Sequence, residues 1–350
     1  MSDNCKSEII LMMKSFFHSL KNHEQGNLEF PQSANLSQSL IKWINVHQLQ
    51  ELSLYVFDHD SIHEEVRRGW EKFKRNTLLK NMTFINAGET FCRLADKVGV
   101  KCTAMRGLNL ILSVYPKIWI RKMGDIDILI DPADKLNLYN GFADHNILPY
   151  KELRSQYIYK FQKARIELHW MYLTSKRFNY RMDTSDFLAK RQKIVTQSGY
   201  IYHLQAEQEF IGLVCHAIIH HSLSIFKQIL DIALYIENPE MDWNYIVGWC
   251  KRYRMIRMFR FTIRLASIIF GLDISHLIKK FEIDTTQRTM YLENHINLFF
   301  CRKKGDYFIN KLNMIYLSET ARSMMGTFFR IFSLEEFEYL KMRNTHKQGE

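Results

Sequence analysis

The stretch Gly124-Asp125-Ile126-Asp127-Ile128-Leu129-Ile130 constrains the fold of this chain most, because it sets two carboxylates two residues apart in a run that otherwise favours burial. Apolar and β-branched residues flank the acids, so the pattern predicts an internal strand, and a period of two puts Asp125 and Asp127 on one face. At roughly 4 Å and an effective dielectric near 20, two like charges repel by about 4 kcal/mol. Such a pair implies a cation, a shared proton or open solvent. A divalent metal is the resolution that produces chemistry.

The neighbouring segments sharpen this reading. Upstream, Lys101 to Met105 reads as a strand, Arg106-Gly107 as a tight turn, and Leu108 to Val114 as a helix ending before Tyr115-Pro116. A glycine where a strand hands over to a helix lets backbone N–H groups approach an anion. Downstream, Arg165-Ile166-Glu167-Leu168-His169-Trp170 alternates polar and apolar residues, which predicts a half-buried strand with Glu167 and His169 on one face. A third carboxylate is thereby available.

Strand, glycine turn, helix, Asp-x-Asp strand and a later strand with a single acid resemble the nucleotidyltransferase fold of the polymerase-beta superfamily. Arg121-Lys122-Met123-Gly124-Asp125-Ile126-Asp127, with Ile166-Glu167-Leu168-His169-Trp170, is similar to the bacterial group of uncharacterised nucleotidyltransferases. The similarity extends more weakly through His216-Ala217-Ile218-Ile219-His220 and Asp231-Ile232-Ala233-Leu234. The resemblance implies an α+β protein, a small mixed-sheet nucleotidyltransferase fold flanked by N- and C-terminal helical segments. It implies metal-dependent transfer of a nucleoside monophosphate from a nucleoside triphosphate, with ATP the expected donor, to a hydroxyl or amine. Asp125, Asp127 and Glu167 are then the catalytic residues and the ligands of Mg²⁺ or Mn²⁺. Arg106, Gly107, Asn109, Arg121 and His169 are the expected nucleotide contacts. Leu108 stands where the superfamily usually has a second glycine or a serine, so grip on phosphate there rests on backbone amides and Asn109.

Several residues carry more than one reading. Arg106 and Arg121 suit bidentate binding of phosphate, while Arg121 equally suits an ion pair holding its loop. Glu167 completes an acceptor-side metal site, acts as base, or is an ordinary strand-face acid. His169 orients Glu167, touches the acceptor, or makes a structural hydrogen bond. His216 and His220, with His221 beside them, have the spacing of a zinc pair, but the flanking Ile211, Leu213, Val214, Ile218 and Ile219 favour a packed helix, hydrogen-bonded to Asp231 or lining a cleft. The basic run from Lys251 to Arg264 puts Arg257, Arg260 and Arg264 on one helical stripe, with Tyr253, Phe259 and Phe261 interleaved. It reads as a solvated face, a contact for triphosphate or RNA, or a membrane surface. Three functions therefore stand: a small-molecule nucleotidyltransferase, an RNA- or protein-modifying one, and a non-catalytic nucleotide-binding or scaffold protein.

A chain of 350 residues with 47% apolar and 24% charged content fits a soluble globular protein of about two domains. Changes of periodicity divide it into an N-terminal helical segment (1–98), a catalytic domain (99–205) and a C-terminal helical domain (206–350). A formal net charge of +11 implies affinity for anions. Cysteines at 5, 92, 102, 215, 250 and 301 form no Cys-x-x-Cys pair, which points to a reducing cytoplasm. Asp3, Lys6, Glu8 and Lys14 make the first segment an amphipathic helix rather than a signal peptide. Arg264 interrupts the longest apolar run, so no membrane span is expected. Ser61-Ile62-His63-Glu64 and Ser333-Leu334-Glu335-Glu336 read as capping boxes.

Overall fold

The structure, a computed structural model, describes residues 3–23, 36–57, 62–172, 174–175, 180–181, 183–196, 199–221 and 223–283. The first apolar periodicities fold as α1 (Asp3–Asn22), α2 (Gln38–Val46) and α3 (Gln50–Val56). The break between the last two falls where Gln48 adopts a φ of 54°. The long helix α4 (Glu64–Lys97) buries Trp70, Thr77, Asn81, Phe84, Phe91 and Ala95 at helical spacing. Its start differs from the expected capping box. The N-cap is His63, which makes no side-chain cap bond, and Glu64 and Glu65 in the first turn favour the positive helix end instead; Ser61 lies outside the described residues.

The strand signals become a seven-stranded mixed sheet. Its members are β1 (Thr103–Met105), β2 (Ile126–Leu129), β3 (Lys151–Glu152), β4 (Gln156–Phe161), β5 (Ala164–His169), β8 (Gln192–Thr196) and β9 (Gly199–His203), in the order β3-β4-β5-β2-β1-β9-β8. A separate short ladder pairs β6 (Thr174–Ser175) with β7 (Tyr180–Arg181). β2 runs antiparallel to β1 and parallel to β5. The helix α5 (Gly107–Ser113) follows β1; α6 (Lys135–Ala143) and α7 (Thr184–Leu188) fill later connections.

Alternation assigns the two faces of the sheet. Ala104, Ile126, Ile128, Ile166 and Leu168 pack with Phe84, Ala87 and Phe91 of α4 in one core. Met105 and Leu129 belong instead to a second core, shared by α1–α3 and the later helices α8 (Ala206–His221), α9 (Phe226–Ile236), α10 (Trp243–Arg252), α11 (Ile256–Phe270) and α12 (Ser275–Phe281). By parity Asp127, Glu167 and His169 stand on this second face. Both faces are covered, which explains why all four residues of β2 are buried although two of the seven around it are acids.

Arg257, Arg260 and Arg264 share α11 at helical spacing, as expected, but the basic run as a whole is broken before them. α10 ends at Arg252, Arg254 takes a φ of 55°, and α11 begins at Ile256. Phe259 and Phe261 lie in the core, at 0% and 7% exposure, so they offer no stacking platform to RNA. Arg260 donates to the Phe281 carbonyl at 2.7 Å. The glycine signal at Gly271 is a helix end, with φ at 70° in the left-handed region. The breaks expected near Lys303-Lys304-Gly305 and the second capping box at Ser333 lie outside the described residues. Among the described residues no helix is long and apolar enough to cross a membrane.

Candidate active site

Parallel pairing of β2 with β5 sets Asp127 directly beside Glu167. One ligand atom each from Asp127, Glu167 and His169 lies within 4.8 Å of the others. Four short interactions organise the group. Arg106 Nη1 donates to Asp127 Oδ1 at 2.9 Å, and His169 Nε2 meets the same oxygen at 3.1 Å. Glu167 is held from both sides, by Gln156 Nε2 donating to Oε2 at 2.8 Å and by Arg165 donating to Oε1. His169 Nε2 is 3.9 Å from Glu167 Oε2.

Asp125 sits one residue ahead of β2, half-buried, outside that group of three. Burial, with the charges of Asp127 and Glu167 next, pushes its carboxyl up to about 7. For Asp127 burial acts the same way, but Arg106 and His169 outweigh it and hold the carboxyl at about 2. The contrast shows where cation is short. Asp127 and Glu167 each have an arginine, whereas Asp125 has no ion pair or hydrogen bond among the described residues. A carboxylate-rich donor set with an uncompensated acid suits a hard divalent cation. Asp127 Oδ2, left without a partner among the described residues, and the Glu167 oxygens are the atoms able to reach one.

The turn before α5 is built around Arg106. Its φ of 54° and ψ of −122° are costly for a residue with a side chain, by about 1–3 kcal/mol. Three contacts offset that strain. The Arg106 N–H donates to Glu209 Oε1 at 2.6 Å, the guanidinium pairs with Asp127, and its carbon lies 5.9 Å from the Tyr172 ring. Arg106 is thus a buried brace between the turn and the acid strand, with Nε left without a partner among the described residues. Asn109 is turned to the same glutamate. Its Nδ2 donates to Glu209 Oε2 at 2.9 Å, and only 1% of the residue is exposed. Burial pushes Glu209 up to about 7, against the hydrogen bonds from Asn109 and Arg106.

Arg121 takes the ion-pair reading. Nε and Nη2 reach Asp231 at 2.9 and 2.8 Å, and Tyr115 donates to the same carboxylate at 2.6 Å. Arg121 Nη1 also closes over Gly107, 3.3 Å from where a Cβ would stand. Asp231 therefore serves Arg121 and Tyr115 rather than the histidines of α8. His216 Nε2 lies 3.1 Å from His221 Nε2, and burial, then Arg106 and His220, hold His216 well below its ordinary value. Among the described residues the histidines do not form a three-ligand metal group.

Reading the sequence alone misses Gln156, Glu209 and Asn81. Gln156 carries no local signal, since its role comes from pairing opposite His169 across β4 and β5. Glu209 is detectable in principle as an acid opening an apolar helical run. Asn81 is a polar residue on the buried stripe of α4, where its Nδ2 donates to the Ile118 and Arg121 carbonyls at 2.5 and 2.9 Å and its Oδ1 accepts from the Met123 N–H at 3.2 Å.

A mixed sheet with a strand–turn–helix unit and acids on adjacent parallel strands, flanked by helices, is the architecture of a nucleotidyltransferase fold. The chain belongs to the uncharacterised nucleotidyltransferase family, whose model matches residues 34–271. No curated protein and no solved structure matches it.

Proposed function

We propose that the protein transfers a nucleoside monophosphate from a nucleoside triphosphate, ATP being the expected donor, to a hydroxyl or amine acceptor. The observation that carries this reading is the register of Asp127 with Glu167, which gathers carboxylates beside the uncompensated Asp125. Asp125, Asp127 and Glu167 would hold Mg²⁺ or Mn²⁺. When bound, such an ion neutralises phosphate charge and lowers the pKa of the attacking group.

The chain's own residues supply position and proton acceptance. Gln156 and Arg165 fix both oxygens of Glu167, and His169 and Arg106 fix Asp127, so the carboxylates need little reorganisation when substrate arrives. The acceptor oxygen or nitrogen attacks the α-phosphorus and its proton passes to Glu167. The bond from the α-phosphorus to the bridging oxygen breaks, and pyrophosphate leaves with that oxygen and the electron pair.

One observation favours a second reading. Arg106 already neutralises Asp127 from within the chain, as a non-catalytic nucleotide-binding or scaffold protein would allow. A thermal-shift panel of ATP, GTP, CTP and UTP with Mg²⁺ or Mn²⁺ separates the two. Ligand at about 100 times its dissociation constant stabilises the native state by roughly 2.7 kcal/mol. Transfer requires a metal-dependent shift that disappears in Asp125→Asn/Asp127→Asn, followed by pyrophosphate release in an acceptor screen. Absence of a shift with every nucleotide sinks the transfer reading.

A further inference from the structure

A net charge of +11 implies affinity for anions, yet the run from Lys251 to Arg264 is broken and its phenylalanines are buried. Cations converge instead at the edge of the sheet. β8 is the terminal strand and pairs with β9, which sets Lys193 opposite Tyr202. Lys193 Nζ lies 5.5 Å from the Tyr202 ring and 4.2 Å from the Tyr200 ring, and the two rings meet edge to face at 5.5 Å. The guanidinium carbon of Arg191, just ahead of β8, comes within 5.3 Å of the Tyr202 ring. Lys101, from the segment before β1, reaches the same ring at 6.0 Å. Three cations from separate parts of the chain thus surround one tyrosine.

No two of these charges are more than about 12 Å apart, close to the Debye length of about 10 Å at 0.1 M salt, so they act on an anion together. None of them forms an ion pair among the described residues. Three acids are near without pairing to them. Asp96 accepts from the Tyr200 hydroxyl at 2.5 Å, Glu89 and Asp96 share a cleft with Arg93 and both tyrosines, and Asp134 feels the charge of Arg191. A cation over a ring is held in place but keeps its charge, whereas an ion pair cancels it. Lysine on an edge strand discourages pairing with another chain. That accounts for Lys193 but not for Lys101 and Arg191 on the same ring. Tyr200 remains 39% exposed, which leaves ring surface for a base.

We infer that Lys101, Arg191 and Lys193, set around Tyr202 and Tyr200, are a docking surface for single-stranded nucleic acid, gripped at its phosphates and stacked on Tyr200. Cations interleaved with aromatic rings hold a single strand without reading its sequence, because every nucleotide offers a phosphate and a π-face. A lipid surface has less to hold, since among the described residues of β8 and β9 Val195 is the one exposed aliphatic side chain. β9 and β8 lie two and three strands from β2, so this surface is separate from the carboxylates and the inference does not depend on nucleotidyl transfer.

Fluorescence anisotropy of a labelled oligouridine of about twelve nucleotides, titrated with the full chain, tests this surface. Three cations on three phosphates of a single strand give a log–log salt slope of about −2, so affinity should fall roughly twentyfold between 50 and 200 mM KCl. Lys101→Gln/Arg191→Gln/Lys193→Gln should bind at least tenfold more weakly at the lower salt and lose most of that slope. Lys101→Arg/Lys193→Arg should stay within twofold of wild type. Tyr200→Leu should weaken binding about fivefold and leave the slope unchanged, as stacking is insensitive to salt. Lys72→Gln/Lys117→Gln/Lys163→Gln removes the same charge from other exposed positions and should change affinity less than threefold. Thermal melting verifies that each variant is folded. A wild type that binds no oligouridine at 50 mM KCl overturns the assignment, as does a patch variant that binds no more weakly than the control variant. Displacement of the oligouridine by polyglutamate at equal charge would make the partner an acidic peptide, and tighter binding to phosphatidylserine vesicles that Val195→Ser abolishes would make it a membrane; either result overturns nucleic acid.

Discussion

Replacing Asp231 by asparagine should be among the most damaging near-isosteric changes in this protein. Asp231 is fully buried and its partner Arg121 has 14% of its side chain exposed, so water screens the pair little. The carboxylate accepts from Arg121 Nε and Nη2 and from Tyr115, at 2.6 to 2.9 Å. Asparagine keeps the shape but removes the charge and turns one acceptor into a donor facing donors. Breaking a buried pair from one side costs about 3–5 kcal/mol, because the remaining charge is uncompensated. With about 2.1 cal/mol/K of unfolding entropy per residue, about 4 kcal/mol lowers the melting temperature of a 350-residue chain by roughly 5 °C. Calorimetric melting of Asp231→Asn measures this, with Arg121→Met/Asp231→Leu as the compensated variant, expected to recover most of the loss. That double variant should also bind nucleotide within about twofold of wild type. A loss below about 1 kcal/mol in Asp231→Asn refutes the account of the pair, and a stable double variant without nucleotide affinity refutes its purely structural role.

Glu209 titrates near 7 in the fold, against about 4.3 in an unfolded chain. A raised folded value means that the native state holds the proton more tightly, so its contribution is greatest below about pH 4 and is lost as pH rises through 7. At 1.36 kcal/mol per unit the loss is about 3 kcal/mol; urea titrations of wild type and Glu209→Gln should show the difference between them changing by that amount from pH 4 to 8, and a constant difference refutes it. Asn81→Ala strands two carbonyls and one N–H of the loop before β2. It should cost about 3 kcal/mol in urea unfolding and weaken Mn²⁺ binding, and unchanged Mn²⁺ affinity would show that the clamp does not set the acid strand. Gly212→Ala would place a Cβ 1.3 Å from the Tyr172 hydroxyl, forcing the ring away from Arg106. A destabilisation of about 3 kcal/mol is expected from thermal melting, and a neutral result would mean that α8 and Tyr172 are not in close contact.

What was legible in the sequence was whatever a short period and a turn signal can encode. Alternation alone put Glu167 and His169 on one face and Asp125 and Asp127 on another strand's face, and the strand–glycine–helix order located the turn at Arg106-Gly107. These are local properties, set by the two-residue repeat of a strand and the dihedral freedom of a turn. The exposed β8, by contrast, had no apolar alternation to betray it, and the start of α4 moved because side-chain capping is only one of several ways to satisfy a helix end.

The sequence by itself thus determined that the chain carries an acidic strand, a second strand with an acid and a histidine, and helical segments on either side. Only the tertiary structure decided which charges meet. Parallel pairing sets Asp127 beside Glu167 across 40 positions, and Arg106 finds Glu209 from 103 positions away. Arg121 finds Asp231 at a separation of 110, which takes from it the free guanidinium that the motif alone suggested. The aromatic residues interleaved with the basic run were claimed by the helical core, because burying a phenylalanine is worth about 1.5–3 kcal/mol and an unoccupied surface platform offers nothing comparable. Partner choice depends on the packing of elements distant in the chain, and no window of sequence contains it.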